Sequence, residues 1–299
     1  MDILAIIVNV VVFLGLAPLF EGVIRKLYAK VQSRQGPPIV QPYYDLIKLL
    51  GKERLVPGNV AFKIAPMMAF ASIVTVVMFV PLGFKANFLT QYADIITIIY
   101  VLTLGGVSVL LGALSSRNTY AMVGASREMI TMIMVEPVLA MTLIMGALKV
   151  KGMSVGASFF SVAMTGYGWG VVLMLVVFLM ALQAFVGRQP FDIAEAEIEI
   201  IEGPFIEYSG PYLALFKYYM MIKQMFYAFL FVTVFMPFLQ TGSYAANIGT
   251  QLAGILAVVV LISLVGSTNP RLRIEQAVRY YAVLILLSLT AVGLTVYGI

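Results

Sequence analysis

Eight runs of roughly twenty apolar residues dominate this chain, and a helix of that length crosses a bilayer core about 30 Å thick. They lie at about 3–20, 64–84, 95–114, 129–148, 168–187, 218–239, 250–267 and 280–298. With 62% of its 299 residues hydrophobic and 11% charged, the chain is no ordinary soluble enzyme, disordered segment or nucleic-acid binder. It contains neither cysteine nor histidine. Disulfides, thiolate zinc, iron–sulfur ligation, axial haem histidines and a histidine base are thereby excluded. The first apolar run is too long for the core of a cleavable signal and leads into a basic loop, so no cleavable signal is expected.

The loops sort by charge. Segments 21–63, 115–128, 188–217 and 268–279, with the adjoining Lys223, hold 16 of the 19 Lys and Arg; the opposite loops hold Lys85, Lys149 and Lys151. Basic loops stay in the cytoplasm, so the asymmetry predicts a multi-pass protein of the cell membrane with both termini outside. The expected fold class is an all-α integral membrane protein, one polytopic unit over 1–299 with about eight transmembrane helices. The fourth span is interrupted by Glu136-Pro137. Segment 21–63 keeps Leu27, Val31, Leu46, Ile47, Leu49 and Leu50 at helical spacing among its bases. It reads as amphipathic cytoplasmic helices on the membrane surface, split by Gly36-Pro37-Pro38 and Gln41-Pro42, or else as a plain basic loop.

The cytoplasmic segment 188–217 is rich in carboxylates. Asp192, Glu195, Glu197, Glu199, Glu202 and Glu207 bring six of the 14 acids into 16 residues with no base among them. On a helix, Asp192, Glu195, Glu199 and Glu202 share one face, with Ile193, Ile198, Ile200 and Ile201 supplying apolar contact, until Gly203-Pro204 ends it. Like charges beside lipid push one another's pKa upward, which suits a proton path or a charge-responsive switch. A solvated acidic loop meeting a basic partner is the plainer alternative, but it needs no interleaved isoleucines. Within the spans, Glu136 is costly unless paired or functional. Arg127 and Glu128 read as interfacial, and Tyr218, Tyr219, Tyr280 and Tyr281 as an aromatic belt.

These residues carry a resemblance. Arg188-Gln189-Pro190-Phe191-Asp192, then Glu195, Glu197, Glu199, Gly203 and Glu207-Tyr208-Ser209-Gly210, resemble the signature loop of the H-type membrane subunit (subunit 1) family of respiratory complex I. Gln32-Ser33-Arg34-Gln35-Gly36-Pro37 and Gln41-Pro42-Tyr43-Tyr44-Asp45-Leu46-Ile47-Lys48 agree with its first loop. The likeness covers essentially the whole chain. Two departures are similar to the shortened relatives in energy-converting, membrane-bound [NiFe] hydrogenases, formate hydrogenlyase and sulfane reductase. Only Pro38-Ile39-Val40 separates the two first-loop motifs, and the family's Glu-Arg-Lys reads Ile24-Arg25-Lys26.

The resemblance implies a coupling subunit without a catalytic residue, cofactor or metal of its own. The [NiFe] centre and iron–sulfur clusters would sit in partners: hydrogenase-like large and small subunits and an iron–sulfur subunit, with antiporter-like subunits in the membrane. It further implies a docking face at Arg34, Gln41, Pro42, Asp45, Lys48 and Arg188. Proton or charge coupling would run along Asp192, Glu195, Glu197, Glu199, Glu207 and Glu136, with H⁺ or Na⁺ as the translocated ion. Glu202 replaces a small polar residue of the family pattern. Within the family the alternatives are a quinone-chamber subunit, opposed by the short first loop, and the equivalent sulfane reductase subunit. Outside it stand a lone ion transporter, opposed by the lack of an inverted repeat, and a purely structural anchor.

Overall fold

The computed structural model describes residues 2–55 and 59–298, apart from the side chains at positions 2, 197 and 198. Among the described residues, eight helices are long and apolar enough to cross a membrane. They are α1 (Asp2–Val31), α3 (Val60–Met78, its span continuing to Phe84), α5 (Ile95–Ser115), α6 (Thr119–Val150), α9 (Trp169–Val186), α11 (Gly210–Phe235), α12 (Tyr244–Thr268) and α13 (Ile274–Val296). Shorter helices fill the connections: α2 (Gln41–Leu50), α4 (Phe88–Tyr92), α7 (Val155–Phe159), α8 (Ser161–Thr165) and the single turn α10 (Glu197–Ile200). The described residues contain no strand, only one isolated bridge between Asp94 and Ser154. The protein is an all-α, multi-pass membrane protein.

Each span falls where an apolar run lies, but several helices continue past the last apolar residue. Residues 21–31 are the final turns of α1 rather than the start of a loop. Glu21 and Arg25, one turn apart and 3.1 Å from each other, cancel the charge that hydropathy alone takes as an end. Residues 210–217 likewise begin α11, and α6 starts at Thr119. Glu136-Pro137 does not break α6, which is continuous from Thr119 to Val150. Among the described residues of the first loop, the one separate surface helix is α2, which buries Pro42 and Leu46 and exposes Tyr44, Ile47 and Leu50.

The bundle is built around α11. Of its span 83% is buried, against 28–56% for the other seven. It packs against α1, α3, α9 and α12, while α13 closes the outer side over α6 and α9. Phe226, Phe229, Phe231 and Phe235 of α11 form edge and tilted contacts with Phe13, Phe159, Phe178 and Tyr227. Tyr219 and Tyr281, which read as belt residues, are 4% and 1% exposed and belong to this core.

The two ends of the bundle differ. One gathers the basic segments, α2 and α10. The other is knitted by polar side chains: Asn9 donates to the Val80 carbonyl (2.6 Å), and the Gly83 N–H to Gln251 Oε1 (2.7 Å). Gly83 has φ +67°, so the chain turns sharply below α3, and Gln251, fully buried, holds that turn while donating to Thr233 Oγ1 (2.8 Å). Leaving the Gly83 N–H unpaired in an apolar interior costs about 1–3 kcal/mol. Gln251→Leu is therefore expected to lower the melting temperature of the detergent-solubilised protein; an unchanged melting curve would contradict the tether.

Candidate functional site

The carboxylate segment does not form the continuous helix its spacing suggests. After α9 ends at Gly187 (φ +68°) the backbone is irregular through Ala196, Glu197–Ile200 forms one α-helical turn, and Gly203–Phe205 forms a 3-10 turn. Ile201, Glu202 and Gly203 then take φ values of 49°, 60° and 48°. At Gly203 a Cβ would stand 2.1 Å from the Ala194 carbonyl oxygen, so glycine lets the loop close on itself. Gly124 of α6 performs the matching task, since a Cβ there would meet Pro204 at 2.7 Å. The loop thus lies directly on α6. Phe191, Ile193, Ala194, Ala196 and Ile200 are buried beneath it, whereas Ile201 is exposed.

The physical reason for the irregular path is charge. Stacked on one helix the acids would repel; spread out, most reach a donor from another segment. Arg271 donates to Asp192 Oδ2 (2.7 Å), Arg127 of α6 to Glu199 Oε2 (2.7 Å), and Lys217 of α11 stands 3.8 Å from Glu202. Asn118 accepts from the Tyr120 N–H at the start of α6 while its amide donates to Glu207 Oε1 (2.6 Å). The backbone adds Leu272 N–H to Pro190 O (3.0 Å), and Leu55 N–H donates to Ser209 Oγ (3.1 Å). The side chain of Glu197 lies outside the described residues.

Glu195 is the exception. It makes no ion pair among the described residues. Burial, reinforced by the charge of Asp192 and more weakly by Glu128 and Glu202, pushes its carboxyl up to about 8 against the opposing pull of Arg188. Exposed Glu199 goes the other way: the hydrogen bond and charge of Arg127 hold it below the usual carboxylate range. Neighbouring acids of one loop are thus set to opposite protonation states, an arrangement suited to proton handling.

A second cluster joins the first loop to the same place. Glu21, 5% exposed, is bound by Arg25 (3.1 Å) and by Arg188, whose Nε also donates to Gln224 (3.2 Å). Arg25 continues to Asp45 (2.7 Å), which Gln41 also contacts (3.1 Å). Against the upward push of burial, these hydrogen bonds hold Asp45 below its ordinary value. Of the expected docking residues, Arg34 and Lys48 are exposed, Gln41 and Asp45 are half-buried in this cluster, Pro42 is buried, and Arg188 points inward.

Three adjoining cavities run inward from the basic end. The widest, about 590 Å³, is lined by acids (Glu21, Asp192, Glu195, Glu202) and bases (Arg25, Arg34, Arg188, Lys217, Arg271). Asp192 and Glu195 also line the next, about 40 Å³, together with Glu128, Tyr219 and Lys223. The third, about 60 Å³, shares Glu128, Tyr219 and Lys223 and adds Glu136 and Tyr227. The structure thus brings Asp192, Glu195 and Glu136 onto one polar route, and leaves Glu199 and Glu207 on the loop's outer side. Glu21 and Tyr227 escaped the sequence reading, while Glu128 read as interfacial, Tyr219 as a belt residue and Lys223 as part of a basic segment. Their signal was spacing: Tyr219, Lys223 and Tyr227 recur every four residues, and Glu128 and Glu136 lie eight apart, each set on one helix face.

Comparison with known proteins places the fold in a family. The family model described as NADH dehydrogenase matches residues 3–296. Hydrogenase-4 component C of Escherichia coli is 35% identical, over 87% of this chain and 85% of its own. The H-type subunit of NADH-quinone oxidoreductase from Thermomicrobium roseum is 31% identical over 95% and 92%. A chain of the archaeal membrane-bound sulfane sulfur reductase, a respiratory membrane complex, superposes with a TM-score of 0.84 at 26% identity, covering 97% of this chain and 98% of that one. Fold and relatives define a multi-pass membrane subunit of a complex I-like oxidoreductase assembly, whose partners are the other subunits. The chain belongs to the NADH dehydrogenase family, that of the H-type membrane subunit, or subunit 1, and its hydrogenase-4 relative.

The perturbed acid sets a pH signature. A folded value of about 8 against an ordinary 4.5 means the folded state holds a proton that the unfolded chain has released between those values. Its contribution to stability is full below about 4.5 and declines as pH rises to about 8. Glu195→Gln removes that decline, so melting temperatures of wild type and variant should diverge across this window; parallel curves would contradict the assignment.

Proposed function

We propose that this chain is the membrane coupling subunit of an energy-converting hydrogenase-type complex. It docks the hydrogenase module and links electron transfer from a ferredoxin-like donor to protons, with hydrogen evolution, to translocation of H⁺ or Na⁺. The observation that carries this reading is the position of Glu195. It is an acid without an ion pair among the described residues, at the junction between the loop that would face the redox module and the cavities that enter the bundle. A change of charge on the partner side would alter its protonation, and Glu128 and Glu136 stand next along the cavities. The carboxylate loop faces the cytoplasm and both termini lie outside, in keeping with the basic loops.

Having no thiolate or imidazole ligand of its own, the chain leaves the [NiFe] centre and iron–sulfur clusters to hydrogenase-like large and small subunits and an iron–sulfur subunit. Arg34, which lines the open cavity, and the exposed Lys48 would meet that module; antiporter-like subunits would contact the flank. The likeness to hydrogenase-4 component C over most of both chains supports this branch.

The cavity of about 590 Å³ gives a quinone-chamber reading its one specific support. Its lining of alternating acids and bases suits water and ions better than an isoprenoid tail. The likeness to the sulfane reductase chain supports a third branch. The test is isolation of the complex from native membranes through a tag on this chain. Nickel with hydrogen evolution from a reduced low-potential donor is the expected result. A nickel-free complex that reduces polysulfide or quinone would move the chain to those branches. Purification without soluble companions would overturn the docking role.

A further inference from the structure

Among the described residues, Lys223 is the one intramembrane cation lining both inner cavities, and the coupling role does not use it. It lies 13 residues into α11, about 20 Å along the helix from Gly210, on the most buried span of the bundle. A lysine at such a position is expected to be paired, because burying a lone charge is costly. Yet Lys223 makes neither an ion pair nor a hydrogen bond among the described residues. Its Nζ stands 5.9 Å from the centroid of the Tyr219 ring, a contact that attracts a cation without neutralising it.

Its surroundings supply the reason. Lys223 lines both inner cavities. In one it faces Asp192, Glu195 and Glu128; in the other Glu128 and Glu136, with the Tyr219 and Tyr227 hydroxyl-bearing rings. Asp192 is bound to Arg271, which leaves Glu195, Glu128 and Glu136 as the acids an ammonium could serve. Both cavities, about 40 and 60 Å³, are roomy enough for water among polar partners. A lysine side chain is a compact charge on a flexible four-carbon stem, able to turn from one cavity to the other without moving the helix.

We propose that Lys223 is the positioning cation of the proton route, its ammonium alternating between the cavity that holds Glu195 and the cavity that holds Glu136. This rests on the coupling role proposed for the chain. A carboxyl in either cavity releases its proton when the ammonium approaches, and a carboxylate in the other takes one up when the ammonium has left. The net step moves one proton from one carboxyl to another, while the position of a single positive charge decides which of them is ionised. Without that charge, nothing on the route draws a proton off one carboxyl in favour of the other, and protons stop moving.

The test uses the complete complex in inverted membrane vesicles, with electron transfer and ion uptake recorded together for wild type, Lys223→Met and Lys223→Arg. A facing cation moves a carboxyl by about one pKa unit or more, and one unit is tenfold in the ionised share. Lys223→Met should therefore lower the ions moved per electron about tenfold while electron transfer continues, and Lys223→Arg, which keeps the charge, should restore most of the ratio. Assembly should survive, because no ion pair is lost. A Lys223→Met complex that pumps like wild type would overturn the proposal, as would Met and Arg variants that fail equally. If Lys223→Met does not assemble, Lys223→Gln takes its place; failure of both to assemble would show a structural cation and also overturn it. A wild-type complex whose electron transfer moves no ion would instead defeat the coupling role itself.

Discussion

Mutual repulsion among the acids of the loop after α9 is the constraint around which the basic end is arranged. Two like charges about 4 Å apart raise each other's energy by several kcal/mol in a partly dry setting. The chain relieves this by opening the loop and answering its acids from separate places: Arg271 before α13, Arg127 and Asn118 at α6, and Lys217 on α11. Each answer doubles as a tertiary tie. The loop therefore cannot move without disturbing helices on several sides of the bundle, which is the property a coupling element requires.

Glu21 and Arg188 extend the same logic to the first loop. A buried carboxylate held by two guanidiniums is costly to break, because removing one partner strands a charge. Through Arg25 and Asp45 the cluster reaches α2, and through Gln224 it reaches α11. The two segments expected to face partner subunits are thus joined inside the protein, and their shared boundary is the wide cavity lined by Arg34, Arg188 and Glu195. Under the proposed docking role, a partner seated on either segment would act on a common set of charges.

Much of this architecture was legible in the residues. Apolar run lengths located all eight spans, because lipid imposes one helix length on every crossing. The charge asymmetry collected the basic segments at one end. Helix boundaries were less legible where a charged residue is neutralised by a neighbour, as at Glu21–Arg25, or where a helix continues among polar residues, as in 210–217. The helical face drawn through Asp192, Glu195, Glu199 and Glu202 failed for a tertiary reason. Spacing says which residues a helix would align, but not that Gly203 and Gly124 let the loop fold against α6 instead. The inner route was half visible: Glu136 stands out in any apolar run, whereas Glu128 and Lys223 lie near span ends and pass for interfacial residues until the packing around α11 is known.

Glu195, an acid without an ion pair among the described residues and set among paired neighbours, is proposed to carry the coupling. The most direct measurement is the number of ions taken up per electron transferred by vesicles bearing the whole complex, comparing wild type with Glu195→Gln and with Glu199→Gln. Glutamine at 195 is predicted to leave assembly and electron transfer in place and to abolish most uptake, while glutamine at the exposed, arginine-bound position 199 reduces it less. Equal uptake by wild type and both variants would contradict the account and leave the carboxylate loop a structural anchor.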